Sequence, residues 1–129
     1  MEIIQWSEKI SVNNTIIDRQ HKKLIELINE LSKHSNERAN SKVINETLSE
    51  LLKYTLLHFN DEEEFMKRAN YPKLNEHKKK HKEFSLKIAL FCTDVQKNKA
   101  TVTQELLQFL VDWLVQHTSV DDQDYKNHI

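Results

Sequence analysis

The sequence predicts an all-α fold, an antiparallel up-down-up-down four-helix bundle preceded by an extended arm, and three observations lead there. Among 129 residues there is no glycine and only one proline. Glycine-dependent β-hairpins, dinucleotide-binding turns and phosphate-cradling loops need backbone conformations that other residues rarely adopt. Apolar residues recur at steps of three and four along four segments, the period of an amphipathic helix. Short polar turns join those segments, which makes neighbouring helices antiparallel. One domain over residues 1–129 is expected, divided into an arm (1–14) and the bundle (15–129).

The arm alternates apolar and polar residues, with Ile3, Ile4, Trp6, Ile10 and Val12, and ends in Asn13-Asn14-Thr15. Trp6 should pin it against the bundle. The first helix begins near Thr15 or Ile16 and carries Ile17, His21, Leu24, Ile28 and Leu31 on one stripe, fading around His34. Asn40 or Ser41 can cap the second, whose inward face reads Leu48, Leu52, Thr55, His58 with Phe59, Glu62, and Phe65 with Met66. Asn70-Tyr71-Pro72 breaks the chain, because proline disfavours helical geometry in the residue before it. The third helix places Leu74, His77, His81, Phe84, Ile88, Phe91 and Val95 on a single stripe. After a turn at residues 97–100, the fourth carries Val102, Leu106, Phe109, Leu110, Trp113 and His117 inward and closes at residues 121–125.

Charge and composition exclude several functions. Nineteen basic and twenty acidic side chains leave a formal charge of −1, so neither nucleic acid nor an anionic membrane is an expected partner. No apolar run approaches the roughly 20 residues that span a bilayer, and MEIIQWSEKI does not read as a secretion signal. The single Cys92 rules out an internal disulfide, and a cytoplasmic location is expected. A monomer or weak oligomer is expected, with no protein partner legible.

What the sequence does carry is histidine. His77 and His81 are four residues apart, about 6 Å along a helix and on nearly the same face, so both rings can reach one metal ion. His21, His58 and His117 fall on the inward stripes of the other three helices, and Glu62 follows His58 by one turn. In an up-down bundle all six lie toward the same end. A core that held five imidazoles and a carboxylate without metal would face several desolvation penalties of about 1–3 kcal/mol each. These donors are too many for one four-ligand zinc, and two metals share them better. Neither a Glu-x-x-His nor a His-Glu-x-x-His motif is present, so ferritin-like di-iron and zinc-protease sites are unsupported.

The order His21, His58-Phe-Asn-Asp-Glu62-Glu63, His77-x3-His81 and Trp113-Leu-Val-Gln-His117-x4-Asp122 resembles the hemerythrins, specifically the single-domain bacterial ones. The resemblance extends over nearly the whole chain, including Trp6, Asp18 and Tyr125. It implies two iron ions (Fe2+/Fe3+) with an oxo or hydroxo bridge. His77, His81 and His117 would bind one, His21 and His58 the other, and Glu62 and Asp122 both. It implies reversible binding of dioxygen, for storage, delivery or sensing, by a protein that is not an enzyme. The alternatives are a di-iron enzyme or sensor acting on peroxide or nitric oxide, and a structural bundle holding zinc or no metal.

Helix phase alone favours Asp121 over Asp122, since five residues from His117 is about 140° round an ideal helix. The family spacing favours Asp122 and requires the helix to widen or end there. Leu24, Phe59 and Trp113 match the family's apolar oxygen-pocket wall, where large aliphatic residues usually follow the last histidine. Here Thr118 and Ser119 follow it, so water is expected to enter more easily and the oxygenated form to autoxidise faster. Asp18 could accept a hydrogen bond from an imidazole or cap the first helix.

Overall fold

A computed structural model describes residues 4–98 and 102–128, and of Val102 the backbone alone. The expectations for Ile3, Ala100 and the inward side chain of Val102 lie outside the described residues. The elements are a 3-10 turn at Glu8–Ile10, then α1 (Thr15–Lys33), α2 (Lys42–Arg68), α3 (Leu74–Gln96) and α4 (Val102–Gln116), a π-helical turn at His117–Asp121, and α5 (Asp122–His128). Around the bundle α1 packs on α2 and α4, and α3 on α2 and α4, the closed cycle of an up-down-up-down bundle.

Polar residues start the first two helices and asparagine ends two of them. The Asn14 side chain accepts from the backbone N–H groups of Ile16 and Ile17, and Ser41 accepts from Ile44, each satisfying N–H groups that a helix start leaves open. At the end of α2, Asn70 takes φ 57°, with Tyr71 N–H donating to Met66 O and Asn70 N–H to Lys67 O. That is a Schellman stop, with asparagine in the left-handed position usually held by glycine. Asn98 (φ 51°) ends α3 likewise, its N–H on Val95 O, and Asn13 (φ 59°) turns the arm into α1. A chain without glycine therefore uses asparagine at each positive-φ position among the described residues.

The arm is tied down by Asp18. Its carboxylate accepts from Ser11 Oγ (2.6 Å) and from Val12 N–H (2.9 Å), so it is neither a partner of His21 nor the cap of α1, which is Asn14. Trp6 packs partly buried on the core, with Lys22 Nζ 4.7 Å from its ring centre. One apolar cluster fills the end of the bundle away from the histidines, with Leu31, Ile44, Leu51, Leu106 and Leu110 at 0–1% exposure. A smaller one, Val12, Ile17, Met66, Tyr71 and Tyr125, closes the opposite end. The histidine level lies between them and is dry on both sides.

Candidate metal centre

Each helix delivers its donors as its apolar stripe dictates. Exposure is 0% at His21, His58, Glu62 and Asp122, 2% at His81 and His117, and 5% at His77. Five imidazoles and two carboxylates thus share one interior layer. Glu62 stands in the middle. Its Oε1 lies 2.9 Å from His77 Nε2, 3.0 Å from His81 Nε2 and 3.3 Å from His117 Nε2. Its Oε2 lies 3.3 Å from His58 Nε2 and 3.6 Å from His21 Nε2. One carboxylate oxygen therefore faces each half of the layer.

Asp122 is arranged in the same way, with Oδ1 3.1 Å from His77 Nε2, and Oδ2 3.0 Å from both His21 and His117 Nε2. It reaches the layer because the helix widens. Asp122 N–H donates to His117 O, a five-residue step, and the π turn rotates Asp122 inward while Asp121 moves to the rim and pairs with Lys80 at 2.7 Å. Beyond the turn the chain stays helical to His128 instead of ending near Tyr125.

The donor set asks for cations. His21 and His58 Nε2 are 3.2 Å apart, as are those of His58 and His117, and the rings meet edge to face at 66° and 87°. Two donors at a right angle about a metal–nitrogen distance of ~2.1 Å stand ~3.0 Å apart, so His21 and His58 Nε2 already have the separation of neighbouring ligands. Both Asp122 oxygens and His21 Nδ1 are buried without a partner in hydrogen-bonding geometry among the described residues. Orphaned oxygens 3 Å from several ring nitrogens are aimed at a common point rather than at each other, and metal fits there.

Without metal, protons take the cations' place. Burial works against charge on His21 and His77, but the Asp122 and Glu62 carboxylates outweigh it and raise the two rings to about 9 and about 10. Burial dominates at His58 and lowers it to about 4. Glu62 stays well below the ordinary carboxylate range, because His117 and His58 overcome the cost of its burial.

The next layer holds the rings in place. His58 Nδ1 bonds Gln20 Oε1 at 2.9 Å, and Gln20 Nε2 donates to Asp61 at 2.6 Å. His81 Nδ1 bonds the Glu63 carboxylate at 2.8 Å. Each such bond puts the proton on Nδ1 and turns the Nε2 lone pair into the site. Tyr125, fully buried, donates its hydroxyl to Glu62 Oε2 at 3.2 Å; burial, with Glu62 and Asp122 nearby, raises its phenol far above the ordinary value and keeps it neutral. Sequence reasoning placed Tyr125 near the site only through the resemblance. Gln20, Glu63 and the Tyr125 hydroxyl left no signal in helix periodicity, because each acts through a ligand.

Of the residues expected to wall an oxygen pocket, Phe59 stacks on His81 (3.9 Å, 7°) and half-buried Trp113 stacks on His117 (4.5 Å, 14°). Leu24 is buried in the larger apolar cluster. Thr118 is buried, but its hydroxyl donates to Leu114 O at 2.8 Å. Ser119 is exposed on the outer side of the turn and does not line the layer. The expected polar leak past Thr118 and Ser119 has no basis in this geometry, since one hydroxyl is bonded to backbone and the other faces out.

Residues 12–129 match the family model for the hemerythrin HHE cation binding domain. The chain belongs to the hemerythrin family. It is 32% identical to a bacteriohemerythrin of Stenotrophomonas maltophilia over all of this chain and 83% of that protein. It is 34% identical to a bacteriohemerythrin of Campylobacter jejuni over 91% of this chain and 89% of the relative, and 34% identical to a myohemerythrin of Theromyzon tessulatum over 99% and 95%. A crystal structure of wild-type hemerythrin superposes with a TM-score of 0.86 at 26% identity, covering 97% of this chain and 96% of that one. No helix among this hemerythrin's described residues is long and apolar enough to cross a membrane.

Proposed function

We propose that this hemerythrin binds dioxygen reversibly at a carboxylate-bridged di-iron centre held by His21, His58, Glu62, His77, His81, His117 and Asp122. The observation that carries this reading is the division of Glu62. One oxygen faces His77, His81 and His117, and the other faces His21 and His58, so one carboxylate serves two groups of imidazoles. Two overlapping sets of donors result, one with His21, His58, Glu62, His117 and Asp122, the other with Glu62, His77, His81 and His117. His117 lies at the seam. We assign it to the His77–His81 side, which leaves the iron on the His21–His58 side with fewer protein ligands and an open position.

When bound, the iron pair supplies the two electrons that dioxygen takes up on binding and returns on release. The protein's part is to keep that exchange dry and fixed in place. His58 and His81 are locked in the tautomer that presents Nε2, by Gln20 and Glu63. The Tyr125 hydroxyl bears on Glu62 Oε2, limiting how far the shared carboxylate can swing. Phe59 and Trp113 lie flat on two of the imidazoles and keep bulk water off them.

Among the described residues, each titratable group within this layer is a proposed ligand or the neutral Tyr125, so none of them is a general acid or base free for turnover. That favours a carrier or sensor over an enzyme acting on peroxide or nitric oxide. The test is an optical spectrum of iron-loaded, anaerobically reduced protein, before oxygen, after it, and after its removal. Colour that appears with oxygen and bleaches on deoxygenation is expected, at two irons per chain. Irreversible yellowing would sink the carrier reading and favour turnover of peroxide or nitric oxide.

A further inference from the structure

The two halves of the proposed centre are not supported alike. On one side, His81 Nδ1 bonds a carboxylate directly, Glu63 Oε2 at 2.8 Å. On the other, His58 Nδ1 bonds a neutral amide, Gln20 Oε1 at 2.9 Å. The nearest anion behind that amide is Asp61, 2.6 Å from Gln20 Nε2 and one side chain further out. The third case is His21, whose Nδ1 has no hydrogen-bond partner among the described residues. The direct anionic acceptor is thus found on the His77–His81 side, and the His21–His58 side has a neutral acceptor or none.

An acceptor on Nδ1 pushes electron density toward Nε2, and a charged one pushes more than a neutral one. A more basic imidazole stabilises the higher oxidation state of the metal it binds. Glu63 is half-buried at the side of α2, one residue after Glu62, so its charge acts through a partly dry path rather than through bulk water. Phe59, flat on the His81 ring at 3.9 Å, shields the same imidazole on one face.

We propose that Glu63 is a positioning residue that sets the redox polarity of the centre, making the iron on the His77–His81 side the first to give up an electron. The iron beside Gln20 then stays ferrous longer. Since that is the side with the open position, the arrangement protects the oxygen-binding iron from one-electron loss to a stray oxidant. The same logic makes Gln20 the counterpart: its neutrality keeps the potential of its side high. This inference rests on the di-iron reading and adds to it which half is oxidised first and which residue decides it.

The experiment is a redox titration of the full, iron-loaded chain, with soluble mediators and ferricyanide as the one-electron acceptor, followed optically and by Mössbauer spectroscopy. Wild-type protein should hold two irons and lose two electrons in separate steps, with the ferric signal of the half-oxidised form on the iron of the His77–His81 side. Glu63→Gln keeps an acceptor on His81 and removes only the charge. It should raise the first step by about a tenfold change in equilibrium, ~59 mV for one electron, and move the second step less. Gln20→Glu should lower the second step instead, and it decides the matter even if the Glu63 variant folds poorly. In zinc-loaded protein the His81 Nδ1 proton should resonate further downfield in wild type than in Glu63→Gln, a readout independent of iron.

A chain that holds fewer than two irons refutes the functional reading and this inference with it. A two-iron chain whose Glu63→Gln titration superimposes on wild type, or whose two steps shift equally, refutes the inference alone.

Discussion

Replacing Tyr125 by Phe removes one oxygen atom from the buried interior of the molecule. Tyr125 is 0% exposed, and its ring packs against Phe65 at 5.8 Å, Tyr71 at 6.1 Å and His77 at 5.7 Å, contacts that phenylalanine keeps. What is lost is the hydroxyl on Glu62 Oε2. A hydrogen bond to a charged acceptor contributes about 1.5–3 kcal/mol, and Glu62 has no route to water that would replace it. For a chain of this size each kcal/mol corresponds to about 3–5 °C in melting temperature. Tyr125→Phe should therefore melt about 5–15 °C below wild type, compared with both proteins iron-loaded. Urea titration should show a lower midpoint at an unchanged slope, since no surface is newly exposed. The shared carboxylate should also lose part of its restraint, so iron should leave Tyr125→Phe faster when a chelator is added. A variant as stable as wild type, with the same rate of iron loss, would show that the hydroxyl bears no weight and that Glu62 is fixed by its other neighbours alone.

Four further outcomes are expected. Asp122→Ala should abolish stable binding of the second iron while Asp121→Ala leaves two irons per chain, as measured by metal analysis; the reverse result would mean the π turn does not deliver Asp122. Stripping the metal should lower the melting temperature by well over 5 °C, because metal affinity becomes folding energy, and an unchanged melt would place the metal elsewhere. The metal-free protein should be most stable near pH 6.5. His21 and His77, raised to about 9 and about 10 in the folded state, contribute fully below pH 6.5 and lose that contribution as pH rises through those values. On the acid side, His58, lowered to about 4, and Glu62, held down by its imidazole neighbours, both make stability fall with pH; chemical denaturation across pH 4–10 that gave a flat profile would contradict this. Phe59→Ala should cost about 3–5 kcal/mol in urea unfolding and speed autoxidation of the oxygenated form, since it empties the space flat against His81; oxygenated protein of unchanged lifetime would exclude Phe59 from shielding the site.

How much of this was legible in the sequence depends on the kind of signal each residue leaves. The four stripes were readable because burial and helical period are the same fact seen twice, and His21, His58, Glu62, His77, His81 and His117 were found on them as polar residues in apolar places. The helix ends were readable in part: Ser41 was one of the two caps expected for α2 and the break at residues 70–72 was expected from Pro72, whereas the Asn14 cap and the left-handed Asn70 were not read. Asp18 was misread because its role depends on the path of the arm, which no periodicity encodes. Ser119 was misread for a related reason. The resemblance assigned the two residues after His117 to the pocket wall together, whereas the π turn buries Thr118 and leaves Ser119 on its outer side.

Asp122 shows where local physics stops and the assembled site takes over. On an ideal helix Asp121 would face inward and Asp122 would not, so the isolated segment favours the wrong carboxylate. The π turn costs helix hydrogen-bond geometry, and what the five residues from His117 to Asp121 offer against that locally is the Thr118 hydroxyl. The larger offset lies on two other elements: His21 from α1 and His77 from α3, with the cation charge that their donor set suits, within reach of Asp122 only when the turn is wide. Thr118 helps hold the distortion, its hydroxyl on the Leu114 carbonyl one turn back. The π turn is therefore stabilised through the site it completes, and the orphaned oxygens of Asp122 mark an interaction that a cation would supply. A helix that widens to bring a carboxylate to imidazoles of two other helices points to a metal centre, since in ideal phase Asp122 would face away from them.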